Sequence, residues 1–251
     1  MDTLQTLLEH RTIRKYANKS IDKEVLDAIL NAAVRGSNTG NMQVYSIVVT
    51  QDASVKEALA PTHFNQKMVT EAPVLMTFCA DFNRFNKWCN QRNATPGYDN
   101  IQSFTWATID AVIAAQNAAV AAESFGLGIC YLGTTTYNAE KIIDILKLPK
   151  GVVPITTLTI GYAEDVPALT DRLPLEAVVH YDVYSDYKNI DIDRLYSEKE
   201  SMESSIKLVE ENGTENLAQI FAEKRYTKKD NVHFSKAWLK VLENQGFMNN
   251  D

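Results

Sequence analysis

The amino-acid sequence predicts an α+β fold, and three observations carry that reading. Apolar or β-branched runs of strand length occur at Gln43–Thr50, Pro73–Ala80, Ile129–Leu132 and Val152–Tyr162. Segments with apolar residues three and four apart separate them, most clearly at Asp22–Arg35 and Asn138–Leu146. No internal repeat or low-complexity tract interrupts the alternation. Strands joined by helices and loops give a layered arrangement, with the strand order left open by the pattern.

In chain order, Leu4, Leu7 and Leu8 form a short apolar pattern ahead of a basic run, His10-Arg11-Thr12-Ile13-Arg14-Lys15-Tyr16, that reads as a connector. The helix Asp22–Arg35 buries Val25, Leu26, Ile29, Leu30 and Ala33 and is closed by Gly36. Gln43–Thr50 is a strand, and Ser54–Leu59 a short helix. Pro73–Ala80 is continuously apolar, as an inner strand should be. Asp81–Asn100 is polar, with a turn at Pro96-Gly97, and reads as a loop or partly helical excursion. Trp106–Phe125 is long enough to cross a bilayer, but it holds Asp110, Gln116, Asn117 and Glu123 and is built from Ala. It therefore reads as a central core helix, with Gly126 as its cap. Ile129–Leu132 is a strand, Asn138–Leu146 a helix with Asn138 as N-cap, and Val152–Tyr162 the last strand. From Leu169 polar residues dominate; helices are expected near 190–204 and 235–243, and Met202–Asn216 reads as a mobile loop. The expected organisation is a core over residues 1–180 and a helical extension over 181–251. That extension is not an independent domain and wraps the core or a second subunit.

With 251 residues, 45% hydrophobic and 23% charged, the chain has ample material for a core. A net charge of -7 argues against a nucleic-acid binder or an anionic-membrane binder. The start, MDTLQTLLEH, lacks the features of a signal peptide, and three widely spaced cysteines fit a reducing compartment, so a cytoplasmic protein is expected.

The basic run is the conspicuous exception to this acidity. Like charges repel, so their clustering calls for an anion, and Arg presents a planar fork suited to phosphate; a solvated basic turn is the alternative. Common nucleotide and hydrolase motifs are absent. There is no GxxxxGK[ST] and no GxSxG. Gly126-Leu127-Gly128 follows a helix and runs to Tyr131, so it fails the dinucleotide fingerprint. The histidines and cysteines lack metal-ligand spacing, so no metal is expected. Four more segments suit a polar, flat ligand: Ser37-Asn38-Thr39-Gly40-Asn41, the Gln66 amide, Cys130–Thr134, and the second arginine at Arg172.

In this order these segments resemble the FMN-dependent nitroreductase family, whose N-terminal pattern is Arg-Ser/Thr-Ile/Val-Arg-x-Phe/Tyr. The resemblance is strongest to the branch of larger, NADPH-preferring, oxygen-insensitive nitroreductases and flavin reductases. Phe78–Arg84 (FCADFNR), Ala114–Ala119 (AAQNAA), Ala122–Gly128 (AESFGLG) and Leu146–Pro149 (LKLP) also fit it. The similarity runs from about Leu7 to His180 and, more loosely, to Gly246.

The resemblance implies a nitroreductase-like fold: a central mixed β-sheet flanked by helices, in an intertwined homodimer with two FMN at the interface. It implies that Arg11 and Arg172 bind the FMN phosphate, with His10 and Thr12 in the same cradle and Arg14 beside the pyrimidine. Ser37, Asn38, Thr39 and Asn41 would reach the FMN of the opposite subunit. Gln66 would meet the ring, and Tyr131, Leu132, Gly133 and Thr134 would lie along it. NADH or NADPH would donate hydride, and a nitroaromatic, quinone or flavin would accept in a ping-pong cycle. Chemistry would occur at FMN N5, with no catalytic side chain and water as proton source. Phe82, Phe104, Tyr131 and Arg225 are the candidate acceptor pocket. Iron(III) or flavin reduction as the physiological role, a flavin-holding protein with little turnover, and a dimer with a decayed site are the alternatives.

Two departures stand out. Thr170 occupies a position where the branch often has Lys, which implies a more negative flavin potential with Arg14 as sole nearby cation. Met202–Asn216 holds Glu203, Glu210, Glu211 and Glu215 with Lys207 as its one cation, where NADPH-preferring relatives carry arginines; Lys224 or Arg225 could substitute.

Overall fold

The computed structural model describes residues 2–250. The chain divides into two compact units, residues 2–168 with 236–250, and residues 169–235. In order, the elements are α1 (Thr3–Leu8), α2 (Lys23–Ala33), β1 (Tyr45–Thr50), α3 (Ala53–Leu59), α4 (Met68–Glu71), β2 (Val74–Asp81), α5 (Asn83–Gln91) and α6 (Ile101–Ser124). They continue with β3 (Gly128–Leu132), α7 (Ala139–Leu146), β4 (Val152–Gly161), α8 (Asn189–Ser201), α9 (Glu203–Asn212), α10 (Leu217–Gln219) and α11 (Lys228–Gln245).

The sheet of the first unit has the order β1-β2-β4-β3. Its strand pairings are all antiparallel, which corrects the expected mixed sheet within this chain. The one parallel pairing among the described residues is an isolated bridge between Thr12 and Ile129. β2 is buried along its whole length, because both faces are covered. Val74, Met76 and Phe78 point to α2 and α6, while Leu75 points to the opposite layer with Leu59, Val69 and Ile142. β3 reaches only as far as Thr157 on β4, so the first half of β4 has one neighbour. Pro154 lies in that half, opposite the register shift at Phe78/Cys79, where a missing N–H is tolerated.

α6 buries Ala111, Ala114, Ala115, Ala118, Ala119 and Ala122, whose small side chains let the sheet and α2 approach closely. It starts five residues earlier than the apolar pattern suggests. The Asn100 side chain accepts from Ser103 N–H at 3.1 Å, a cap that contributes about 1 kcal/mol. Ile101, Thr105, Ile109, Val112 and Gln116 form an exposed stripe at helical spacing, and Leu4, Leu7 and Leu8 of the adjoining α1 are exposed as well. Asn138 stands at the N-cap of α7 without the expected side-chain cap bond, and its amide donates to the Thr62 carbonyl at 2.8 Å.

In the second unit α8 and α9 pack on each other. The Lys199–Asp171 ion pair, at 2.6 Å, links α8 to the segment that carries Arg172. The expected mobile loop at 202–216 is largely helical: α9 ends at Gly213, whose φ of 59° supplies the left-handed closure, and Asn216 caps α10.

Candidate functional site

The basic run is an extended strap laid against β3. Ile13 N–H donates to the Ile129 carbonyl at 2.9 Å, and Ala17 N–H donates to Tyr162. Ile13 and Tyr16 are buried in the core, while Arg14 and Lys15 between them are exposed. The Tyr16 hydroxyl is buried, bonded to the Ile13 carbonyl at 2.9 Å and to the Thr159 hydroxyl at 2.6 Å, and burial raises its pKa. Gly128 makes the close approach possible, since a Cβ there would sit 2.4 Å from Ile13 Cγ1.

The cations of the strap divide by partner. Lys15 pairs with Asp165 at 2.9 Å, and Lys19 lies 3.7 Å above the centre of the Tyr162 ring. Arg11 donates to the Glu9 carbonyl at 2.8 Å, and neither Arg11 nor Arg14 has a carboxylate partner among the described residues. Arg14 is close enough to Cys130 to oppose the upward push that burial gives that thiol. Arg11 lines a hollow of about 170 Å³ together with Glu9, Glu123 and Gly128. His10 donates to the Glu123 carboxylate at 2.6 Å; burial raises the Glu123 pKa and the His10 bond opposes this in part.

β3 continues into the predicted ligand-facing residues. Tyr131 is 37% exposed, and its hydroxyl donates to the Gln116 side chain on α6 at 3.2 Å. Burial, reinforced by the Glu123 charge, keeps that phenol neutral. Leu132 is buried, while space over Gly133 is open, with nothing within 4 Å of a Cβ placed there. Thr134 is half-buried and bonds His63 Nδ1 at 2.8 Å. His63 is enclosed, and burial lowers its pKa to about 4. The His63 carbonyl accepts from the Gln66 amide at 3.0 Å, so Gln66 is tied to the same turn. His10, Arg11, Thr12, Arg14, Gln66 and Tyr131–Thr134 therefore gather on the strap, on β3 and on the turn that His63 joins to it.

The segment Ser37–Asn41 lies elsewhere. Its Thr39 uses both donors on one oxygen of Asp110, N–H at 2.8 Å and hydroxyl at 3.0 Å. Ser37 and Asn41 are exposed; Asn38 is half-buried and accepts from Gln43 N–H at 3.3 Å. Along α6 the Asp110 anchor and the Glu123 anchor of His10 are about 20 Å apart at 1.5 Å per residue. Within one chain the loop is thus remote from the strap.

Arg172, in the second unit, is exposed and donates to the Thr170 and Asp171 carbonyls at 3.3 and 2.9 Å. Arg225 is exposed beside the Phe221 ring at 5.9 Å. Phe82 and Phe104 require correction as pocket residues. Phe82 is 0% exposed and stacks on Tyr98 at 4.9 Å, and Phe104 packs against Phe247 and Trp238. Both rings are spent on the core. Sequence reasoning missed His63, Asp110 and Glu123 as site supports; the signal for the last two was charge inside an Ala-built helix. No group of His, Cys, Asp and Glu that could hold a metal occurs among the described residues, and no described helix is long and apolar enough to cross a membrane.

Comparison with known proteins shows the family. A family model described as "Nitroreductase family" matches residues 7–162. The oxygen-insensitive NADPH nitroreductase of Salmonella typhimurium is 37% identical over 182 residues, 72% of this chain and 74% of that protein. The FMN reductase (NADPH) of Bacillus subtilis is 32% identical over 186 residues, 73% of this chain and 75% of that protein. A crystal structure from Bacteroides fragilis is 53% identical, with a TM-score of 0.96 over 98% of this chain and 100% of that one. With a core of this sheet order, an arginine strap on β3 and a match that spans more than half its length, the chain belongs to the nitroreductase family.

Proposed function

We propose that the protein is an FMN-dependent NAD(P)H oxidoreductase that works as a homodimer and reduces small acceptors of the nitroaromatic, quinone or flavin class. The observation that carries this reading is the strap. In an acidic chain, Arg11 and Arg14 both lie on the strap that pairs with β3, and neither has a carboxylate partner among the described residues; β3 itself runs into a turn with open space over Gly133. That donor set fits FMN: guanidinium forks for a phosphate, a fixed cation for an electron-rich ring, and a glycine turn where a flat molecule can lie against the backbone. When bound, FMN supplies the redox chemistry, taking hydride from a nicotinamide and passing electrons to the acceptor.

The residues bind and orient. Arg11 and Arg172 hold the phosphate, with His10 and Thr12 beside them, and Arg14 stabilises negative charge on the pyrimidine side. Gln66 addresses the ring edge with its amide, and Tyr131–Thr134 lie along the ring. No side chain is assigned as acid or base. Two features support dimerisation. The Ser37–Asn41 loop is too far along α6 to serve the strap of its own chain, so it serves that of the partner. The exposed stripe of α6, with Leu4, Leu7 and Leu8, offers an apolar face for a second copy. Arg172, ahead of the extension, is proposed to serve the phosphate, and the extension beyond residue 180 to supply Arg225 to the acceptor pocket.

The test is an absorbance spectrum of the purified protein, followed by an anaerobic acceptor screen with NADH and NADPH. Bound flavin and rapid bleaching on nicotinamide addition are expected. A colourless protein with no affinity for added FMN overturns the reading, and flavin that neither nicotinamide bleaches overturns the enzymatic part.

A further inference from the structure

We propose that α6 is the frame on which the cofactor site is registered, with Asp110 and Glu123 as positioning residues. The inference rests on the site proposed above and asks what holds its parts in place. From Trp106 onward α6 is an alanine helix, and alanine alone would satisfy its packing. Yet Asp110, Gln116, Asn117 and Glu123 each reach out of the helix to another segment. Asp110 takes Thr39 N–H, the Thr39 hydroxyl and, at 3.4 Å, Val44 N–H. Gln116 takes the Tyr131 hydroxyl, and Asn117 donates to the Ala32 carbonyl at 3.2 Å, just ahead of the Ser37 loop. Glu123 takes His10. Thr105 and Ser124, by contrast, bond back to their own helix.

Asp110 is the strongest case. It is 1% exposed and has no cation partner among the described residues, so its burial is unfavourable unless donors offset it. Those donors come from the ends of a loop in which Gly40, Asn41 and Gln43 all adopt positive φ, near 55°. Left-handed backbone at non-glycine residues persists only where surrounding contacts over-determine it. The carboxylate supplies that constraint and so presents Ser37 and Asn41 outward in one fixed conformation. Glu123 does the same for the strap, fixing His10 and hence the start of Arg11. A rigid helix holds binding groups more accurately than loops hold one another. One helix thereby sets the distance between the strap that serves its own cofactor and the loop that serves the partner's.

The experiment uses full-length apoprotein reloaded with FMN. Asp110→Asn keeps one acceptor but turns an N–H group toward the Val44 donor; Glu123→Gln removes the charge that holds His10. Dissociation constants come from quenching of flavin fluorescence, the geometry of bound flavin from visible circular dichroism, and folding from the apoprotein Tm. Lys56→Met serves as a control, a buried polar group on another face that bonds only the Thr70 and Ala72 carbonyls. Asp110→Asn is expected to weaken FMN binding at least tenfold and to alter the visible dichroism. Glu123→Gln should weaken it several-fold, and Lys56→Met should leave the affinity at the wild-type value whatever its Tm. If Asp110→Asn does not fold, Thr39→Val, which deletes one of the three bonds, carries the test in the same direction. Wild-type affinity and dichroism in Asp110→Asn and Glu123→Gln, with only Tm lowered, would reduce α6 to a structural role and overturn the proposal. Failure of the wild-type protein itself to bind FMN overturns the site reading instead, and this proposal with it.

Discussion

The enclosed ring of His63 meets the Thr134 hydroxyl at 2.8 Å and joins the loop that carries Gln66 to the turn that ends β3. This contact makes an acid-sensitive link in the middle of the proposed site. Burial holds the imidazole pKa near 4, below the value of about 6.5 for the unfolded chain. As pH falls the unfolded chain therefore takes up the proton first. The His63 contribution to stability is complete above pH 6.5 and declines as pH drops toward 4. One proton over this window corresponds to about 3 kcal/mol. Urea unfolding at pH 7 and pH 4.5 should show that His63→Gln loses less stability on acidification than wild type. An equal loss in both proteins would dissociate His63 from the effect.

Gly128 separates β3 from the strap by the width of a missing side chain. Gly128→Ala would force its Cβ into Ile13, whose branched side chain is held in the core and cannot swing away. Overpacking of this kind costs about 1–3 kcal/mol, and the displaced strap carries Arg11 and Arg14. The variant should therefore lose both Tm and FMN affinity. Gly213→Ala is the contrast. It has open space around it but a φ of 59°, so it should cost about 1 kcal/mol through backbone conformation and leave FMN affinity unchanged. Parallel melting curves and flavin titrations decide between steric displacement of the strap and a general loss of stability.

The sequence was most legible where one interaction dominated. β2 reads as an inner strand because its residues from Val74 to Ala80 are apolar or small enough to be covered on both faces. α6 reads as a core helix because its alanines leave no alternative to burial beneath other elements. Legibility failed where two partners compete for one group. Asn138 has the chemistry of a cap, but its side chain makes no cap bond and its amide donates to the Thr62 carbonyl. Phe82 and Phe104 have the chemistry of a ligand pocket, but Tyr98, Trp238 and Phe247 enclose them. Residues 202–216 are polar enough for a loop, yet Gly213 and Asn216 supply the chemistry that ends one helix and begins the next. In the site, the arginines were visible as charge. The groups that hold the Thr134 turn and the Ser37–Asn41 loop, His63 and Asp110, depend on contacts with residues 71 positions distant, which no local pattern encodes.

The family resemblance implies that Thr170 bears on the flavin potential. It implies a neutral Thr where a cation would favour the negatively charged reduced cofactor, which leaves Arg14 as the proposed stabiliser. Thr170→Lys should raise the two-electron midpoint potential by about 30 mV, the equivalent of about 1.4 kcal/mol. Arg14→Gln should lower it by a similar amount. Spectroscopic redox titration reads both shifts, and an unchanged potential in Thr170→Lys would remove this residue from the vicinity of the ring.

The resemblance implies that α9 takes part in the choice of nicotinamide. Glu203, Glu210 and Glu211 lie on this helix, and Glu215 follows it. Lys207, the lone cation of the segment, already faces Glu211 at 3.9 Å. A 2′-phosphate approaching this surface meets net negative charge, and the exposed Lys207 pair is too weakly held to offset it. NADH lacks that phosphate and escapes the repulsion, so kcat/KM is expected to be higher for NADH than for NADPH. The repulsion acts between solvent-exposed charges, so raising the salt concentration should narrow the gap. Converting Glu211→Arg both frees Lys207 and adds a fork for the phosphate, and should move the ratio toward NADPH by about tenfold, or about 1.4 kcal/mol. The site's arginines lie on other segments, so FMN affinity should stay constant in this variant. An unaltered NADH to NADPH ratio would detach α9 from nicotinamide selection and leave Lys224 and Arg225 as the groups to vary next.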